Sequence, residues 1–440
     1  MKLAILGGGG FRVPIVYQAL LADTGELRGT DVVLYDSSPQ RLAVMESVLA
    51  AQAGQAPDPP RVSSTTSLDA ALEGASFVFS AIRVGGLPGR VHDERVALNL
   101  GLLGQETTGP GGIAYGLRTI PVALAIAERV ARLSPGAYVI NFTNPAGMIT
   151  EAMQSVLGGH VIGICDTPEG LGRRIAAALD LQPASVSLDY VGLNHLGWMR
   201  AVLVDGQDVL PGLLADDRAL DTLEESSIFG MPWLRTLNCI PNEYLYYYYF
   251  NRDAVAAIGR QQATRGEFLT RQQADFYAAA AAAPRRALRL WLETNRERRA
   301  LYMAEAKGGR ARTQQEPPAE GGYAGVALGV MNAIAGNRSA AMILNVRNAG
   351  ALAGLDEDAV VELPCTVDAS GAHPIPAARP DLHQLGLMQQ VKAVERLTIE
   401  AATTGSPDAA LKAFALHPLV DSVSVARDLL SGYLAASQAP

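Results

Sequence analysis

Cysteine is scarce. Three cysteines in 440 residues cannot make a paired disulfide framework, so free thiols in a reducing compartment are expected, with the cytoplasm as the location. Basic charge is not in excess either. The formal net charge of −8 argues against a nucleic-acid partner, although one local arginine cluster would still be enough to hold a phosphate. No uninterrupted apolar run of about 18 residues free of charges occurs, so no membrane partner is expected. The opening "MKLAILGGGG" has only a four-residue apolar stretch that runs into glycines, unlike a secretory signal peptide. No internal repeat is visible.

What the chain does have is ordinary globular composition, 49% hydrophobic and 18% charged, at a length that suits two or three subdomains or one large α/β enzyme. In the first half, short apolar runs alternate with helical patterns. "KLAIL" (2–6), "DVVLYD" (31–36), "SFVFSAI" (76–82), "AYVINFTN" (137–144) and "HVIGICD" (160–166) read as buried strands. Residues 13–22, 38–52, 116–133 and 168–179 read as helices. Such alternation implies a parallel sheet covered on both faces. Near residue 185 the pattern changes. "VSLDYVGLNHLGWMRAVLVDGQDVL" reads as antiparallel strands with a turn at Asp205–Gly206, long helices are expected from about 211 to 335, and strand character returns in "AAMILNVRNAG" and "AVVELPCTVD". The tail from Asp381 is expected to be helical, and the Gly- and Pro-rich segment 308–322 to be a mobile loop. The expectation is an α/β protein with a Rossmann-like parallel-sheet domain over 1–185 and an α+β substrate, metal and oligomerisation domain over 186–440.

"LAILGGGGFRVP" combines a strand, a glycine turn and a helix start. Glycines let the backbone approach a pyrophosphate, and the helix N-terminus supplies N–H donors. Contacts to a dinucleotide are expected from Gly8, Gly9, Gly10, Phe11 and Arg12, and Asp36, ending the next strand, suits a ribose hydroxyl. The strict G-x-G-x-x-G pattern fails, because its last glycine position holds Arg12.

Cys165 and His195 follow strand-like runs, at the sheet edge where ligands bind in α/β folds. Thiolate and imidazole suit a borderline divalent metal, yet two ligands fall short of a closed site, and by spacing alone such residues read more readily as ordinary buried side chains. "IPNEYLYYYYF" (240–250) holds five tyrosines. They read either as an aromatic core face shared by Tyr244, Tyr247 and Tyr248 or as the source of a tyrosinate base, which needs a nearby positive charge. Arg83, Arg90 and Glu106 lie after one strand end, and Asn141 and Asn144 at another. Each alone reads as a satisfied loop residue; together they point to one site.

In combination, "GGGG" with "YD", "IRVGG…R…GLLGQETTGPGG", "NFTNPAGMITEA", "GICDTPEG", "GLNHLGW", "PNEYLYYYY" and "TRGEFL" resemble glycoside hydrolase family 4, the NAD-dependent phosphoglycosidases, over nearly the whole chain. The resemblance implies a lactate/malate dehydrogenase-like Rossmann fold, NAD and Mn²⁺ or another divalent metal as cofactors, and a phosphorylated disaccharide or glucoside as substrate. A homodimer or homotetramer is the expected assembly. The implied chemistry begins when NAD⁺ takes a hydride from C3 of the sugar. The metal polarises the resulting ketone, a tyrosine removes the C2 proton, and the C1 leaving group departs. Water then adds and NADH returns the hydride. Carried over, Cys165 and His195 become the metal ligands, Tyr244 the base and Glu106 a residue that tunes it. Arg90 and Asn144 hold substrate, and Arg265 makes a further contact, to the 6-phosphate. Asp166 after the cysteine matches α-specific members, where it is the general acid, whereas "GLLGQETTGPGG" and the C-terminal segments look more like 6-phospho-β-glucosidases. The expectation is a 6-phospho-β-glucosidase. The alternatives are a 6-phospho-α-glucosidase or α-galactosidase-type member, a plain 2-hydroxy-acid dehydrogenase, and a non-catalytic NAD-sensing protein.

Overall fold

The computed structural model describes residues 1–440 except 55, 183–184, 304, 307–321 and 438–440. All but Gly322 of the segment expected to be a mobile loop therefore lies outside the described residues. Strands β1 (Lys2–Leu6), β2 (Asp31–Tyr35), β3 (Val62–Thr65), β4 (Phe77–Ser80), β5 (Tyr138–Asn141) and β6 (Val161–Gly163) run parallel in the order β3-β2-β1-β4-β5-β6. This is the doubly wound order, and its reversal beside β1 and β4 opens a crevice at the carboxyl ends of the strands. β4 and β5 are buried at every position, as helices on both faces require. The sequence reading omitted β3, a short strand of serines and threonines without the apolar run that marks the others.

The sheet does not stop at β6. β7 (Val186–Leu193), β8 (Leu196–Val204), β9 (Gln207–Asp208), β10 (Ile240–Pro241), β11 (Ala340–Arg347), β12 (Val360–Asp368) and β13 (Gly371–Pro374) extend it antiparallel into one 13-stranded sheet. Asn345 of β11 sits opposite Gly163 of β6, and Glu362 of β12 opposite Gly192 of β7. Gly163 is required there, since a Cβ would collide with the Thr150 hydroxyl and lie 2.8 Å from the Asn345 Cβ. The Asp205–Gly206 turn exists and leads into β9, but the main reversal is the two-residue turn Asn194–His195 between β7 and β8. His195 thus occupies a hairpin turn, with φ of 63°. The long helices expected from 211 start only at Arg265–Ala282; before them come short pieces such as Leu210–Ala215 and Met231–Leu237. The C-terminal helices Leu382–Thr404, Pro407–Leu416 and Val423–Ser437 match the expected helical tail. Helix Pro110–Leu133 is long and apolar enough to cross a membrane by length and composition, but 67% of its most apolar window is buried inside the protein, as in a core helix.

Glu362 closes the joint between the parallel and antiparallel parts. It has no exposed surface. Oε1 accepts from Asn345 Nδ2 at 2.8 Å and Asn194 Nδ2 at 3.3 Å, and Oε2 accepts from the Tyr190 hydroxyl at 3.0 Å. Burial nevertheless pushes its carboxyl up to about 7. An acid whose folded pKa lies above its unfolded value holds a proton in the folded state that the unfolded chain has released, so stability is lost as pH climbs between the two values. Urea midpoints of metal-free protein should therefore fall from about pH 5 to about pH 8 relative to those of Glu362→Gln. Parallel pH profiles for the two proteins would contradict this assignment.

Candidate active site

β1 runs into the glycine turn. Gly7 takes φ of +83°, and a Cβ on Gly8 would lie 2.7 Å from that of Leu34. Gly9 donates its N–H to Asp36 Oδ2 at 3.0 Å, and Ser38 donates to Asp36 Oδ1 at 2.9 Å, which pins the carboxylate at the end of β2. Arg12 stands at the last glycine position of the G-x-G-x-x-G pattern, and the turn is fastened by aromatics from the second half of the chain. Tyr277 Oη donates to the Gly9 carbonyl at 2.6 Å, Trp291 Nε1 to that of Phe11 at 2.9 Å and Tyr323 Oη to that of Arg12 at 3.0 Å. Phe11 packs against Phe276 and Trp291. A groove of about 1020 Å³, bordered by Gly7, Gly10, Phe11, Arg12 and Asp36, runs along the carboxyl ends of the strands. Gly8 and Gly9, expected to contact a dinucleotide, do not border it, and their N–H groups are spent on Tyr35 and Asp36.

A second cavity of about 220 Å³ adjoins the groove through Phe11, Arg12, Arg90, Glu106, Asn144 and Arg298. It gathers Cys165, Asp166, His195, Tyr244 and Arg265 as well. Cys165 follows β6, and Asp166 stands at the N-cap position of helix Thr167–Ala178 without a capping hydrogen bond from its side chain. Burial, Glu362 and Asp166 push the Cys165 thiol well up. Burial pulls His195 down to about 4, so its imidazole is neutral at pH 7, the form that ligates metals. The imidazole stacks on the Tyr244 ring with centroids 3.7 Å apart. Tyr244 lies in the 3₁₀ turn Glu243–Leu245, and its hydroxyl meets Tyr302 Oη at 2.9 Å. Burial and the Glu243 carboxylate push the phenol well up, so a tyrosinate there needs an added positive charge. Tyr247 also lines the cavity, whereas Tyr248 turns away to stack on His417.

A divalent ion fits this chemistry. Among the described residues no group of three ligating side chains forms. Cys165 and His195 are a pair, which leaves positions open for substrate oxygens or water. A bound cation would reverse the electrostatics that now keep Cys165 and Tyr244 protonated.

Glu106 is engaged elsewhere than expected from the resemblance. Its carboxylate binds Arg83 at 2.7 Å and Arg90 at 2.8 Å, which hold it well below the usual carboxylate range. It reaches Tyr244 only through its charge, and that charge raises the phenol. Arg90 is tied a second time, to Glu94 at 2.7 Å. Asn141 is structural and braces its own turn through Thr143, Ala146 and Thr150, whereas the buried Asn144 Oδ1 has no hydrogen-bond partner.

Arg12, Arg265 and Arg298 also line the cavity and have no carboxylate within ion-pair distance among the described residues. Arg298 is pulled down to about 9 by burial and by the repulsion of Arg12, Arg265 and Arg90, and Arg265 is lowered by burial and by Arg90. Uncompensated cations around one cavity form an anion site. Arg298 escaped the sequence reading because "NRERRA" looks like a solvated run. Its signal was helical spacing: Trp291, Asn295, Arg298 and Tyr302 share one face. Replacing Arg298 by Met removes a buried, repelled charge. The anion-free variant should melt a few degrees higher than wild type, and the rise in Tm that millimolar inorganic phosphate gives wild type should disappear. An unchanged phosphate effect would remove Arg298 from the anion site.

The family described as "Family 4 glycosyl hydrolase" matches residues 2–181, and its C-terminal domain matches 190–420. A probable 6-phospho-β-glucosidase of Bacillus subtilis is 31% identical over 450 residues, covering 100% of this chain and 97% of its own. A 6-phospho-β-glucosidase of Escherichia coli is 32% identical over 435 residues, covering 96% and 92%. The solved 6-phospho-β-glucosidase of Thermotoga maritima with manganese, NAD⁺ and glucose-6-phosphate superposes with a TM-score of 0.83 at 28% identity, covering 100% of this chain and 98% of that one. A 6-phospho-α-glucosidase from gut microorganisms, in complex with NAD and Mn²⁺, gives 0.81 at 26%, covering 99% and 98%. A malate dehydrogenase from Plasmodium falciparum, at 14% identity and a TM-score of 0.53 over 92% of this chain and 99% of that one, shares the fold. Matched by both halves of the family and by relatives along its full length, the chain belongs to the family 4 glycosyl hydrolases.

Proposed function

We propose that this protein hydrolyses 6-phospho-β-glucosides with NAD⁺ and a divalent cation such as Mn²⁺. The observation that carries the reading is the convergence of Cys165, His195 and Tyr244 with the unpaired Arg12, Arg265 and Arg298 in one cavity that opens onto the dinucleotide groove. Residues 1–185 would supply most of the groove, and the second cavity would be shared equally between 1–185 and 186–440. When bound, the nicotinamide would accept a hydride from sugar C3 and the cation would polarise the resulting ketone, which acidifies the proton at C2. Tyr244 takes that proton. Asp166, at the cavity wall beside Cys165, protonates the departing oxygen; water then adds at C1, C2 regains a proton from Tyr244, and the hydride would return to C3. Arg12, Arg265 and Arg298 hold the phosphate, and Asn144 Oδ1 accepts a sugar hydroxyl. Glu106 fixes Arg90 so that its free N–H faces substrate. Asp36 selects NAD⁺, because the 2′-phosphate of NADP⁺ would meet a carboxylate. The free, buried cysteines support a reducing, cytoplasmic setting. Exposed Leu382, Leu416, Val423 and Leu434 on the C-terminal helices support a homodimer or homotetramer.

The position of Asp166 favours a second reading, 6-phospho-α-glucosides, since an acid adjoining the metal cysteine is the arrangement associated with α-specific members. A panel of α- and β-linked aryl glucosides, each with and without 6-phosphate, separates the two when assayed with Mn²⁺ and either NAD⁺ or NADP⁺. The β-linked 6-phosphate should turn over fastest, with NAD⁺ and without accumulation of NADH. Preference for the α-linked 6-phosphate would move the assignment to the second reading. NADH formed in step with product would indicate an ordinary dehydrogenase.

A further inference from the structure

The loop between Gly104 and Gly109 faces two ways. Glu106 reaches the arginines, while Thr107, held by Gln105, reaches His195. Gln105 Oε1 accepts the backbone N–H of Thr107 and of Thr108, both at 2.6 Å. Two backbone donors converging on that atom identify it as the amide oxygen and not the nitrogen. Thr107 Oγ1 lies 3.1 Å from the same oxygen. In this contact the hydroxyl donates, because the amide oxygen carries no hydrogen. Thr107 Oγ1 also lies 3.1 Å from His195 Nδ1. A threonine hydroxyl has a single proton. Once that proton points to Gln105, the contact to the imidazole is a hydrogen bond only if Nδ1 donates.

We infer that Gln105 and Thr107 are positioning residues that hold His195 in its Nδ1–H tautomer and leave the Nε2 lone pair for a metal ion. Nε2 makes no hydrogen bond among the described residues, and the imidazole is kept from rotating by its stack on Tyr244. The left-handed backbone of His195, with φ of 63° in a two-residue turn, fixes where the ring starts. A ligating histidine whose other nitrogen is held by a hydrogen bond binds its metal in one orientation, and loss of such a partner costs about 10–100-fold in affinity. The inference rests on reading Cys165 and His195 as the metal pair, and its test separates the two.

The first measurement needs no metal. In ¹⁵N-histidine-labelled, metal-free protein, with His195 assigned by its absence in His195→Gln, Nδ1 should be the protonated nitrogen. Thr107→Val should mix or reverse the tautomers, and Thr107→Ser should restore the wild-type pattern. A wild-type His195 protonated at Nε2, or an unchanged tautomer in Thr107→Val, would overturn the proposal. The second measurement is Mn²⁺ binding followed by electron paramagnetic resonance. Thr107→Val should weaken it by about 10–100-fold, and Thr107→Ser by much less. Equal affinity in wild type and Thr107→Val would overturn the proposal. Absence of Mn²⁺ binding in wild type, with the tautomer as assigned, would instead overturn the metal reading and leave the tautomer without that purpose.

Discussion

Glu362 sits on β12 without exposed surface, and its hydrogen bonds to Asn345, Asn194 and Tyr190 tie β12 to β11 on one side and to β7 and its turn on the other. A buried carboxylate is costly unless its oxygens are satisfied, so the arrangement is stable only with all three donors in place. The consequence reaches the cavity. Asn345 pairs across the sheet with Gly163, two residues before Cys165, and Asn194 adjoins His195 in the hairpin turn. One carboxylate therefore sets the relative position of two elements that lie far apart in sequence. Tyr190 passes the constraint on through Asn242, whose side chain in turn accepts the N–H of Tyr244.

Around this joint, charge is distributed unevenly. Arg83 and Arg90 are neutralised by Glu106 and Glu94, and Arg174 by Glu225. Arg12, Arg265 and Arg298 are left uncompensated beside them. Paired arginines hold their forks still and give the cavity rigid walls, whereas unpaired ones are raised in energy until an anion arrives. Guanidinium faces of Arg12 and Arg298 lie over Phe142, Tyr323 and Phe11, which supports the unpaired cations without neutralising them. The cavity thus combines a cationic rim with a neutral imidazole and with a thiol and a phenol that burial keeps protonated.

The parallel sheet was legible because buried strands and glycine turns leave local marks, and β1, β2, β4, β5 and β6 all carry apolar runs. Cys165 stood out for the same reason. His195 was picked out correctly as a residue at a strand end, but the turn that holds it was not, because "GLNHLGW" lacks the Asn-Gly or Asp-Gly pair that marks two-residue hairpins. Glu362 was invisible within "VVELP", where a single acid in an apolar strand gives no sign of the three donors that await it. Tyr277, Trp291 and Tyr323, which fasten the glycine turn, lie more than 260 residues from it. Tertiary pairs at that separation leave no periodicity to read, and the same holds for Tyr302 against Tyr244. Metal-ligand and base roles came into view through the family resemblance. The geometry supplied what the resemblance did not: that Glu106 serves the arginines, and that Gln105 and Thr107 serve His195.

The account makes Tyr244 a base acting at a carbon of the sugar, a step that simple acid–base cleavage of a glycosidic bond does not need. The most direct measurement is turnover of a 6-phospho-β-glucoside in D₂O with NAD⁺ and Mn²⁺, with the released 6-phosphoglucose analysed by NMR. Deuterium should be found on C2 of the product. Product formed at full rate with ordinary hydrogen retained at C2 would contradict the account.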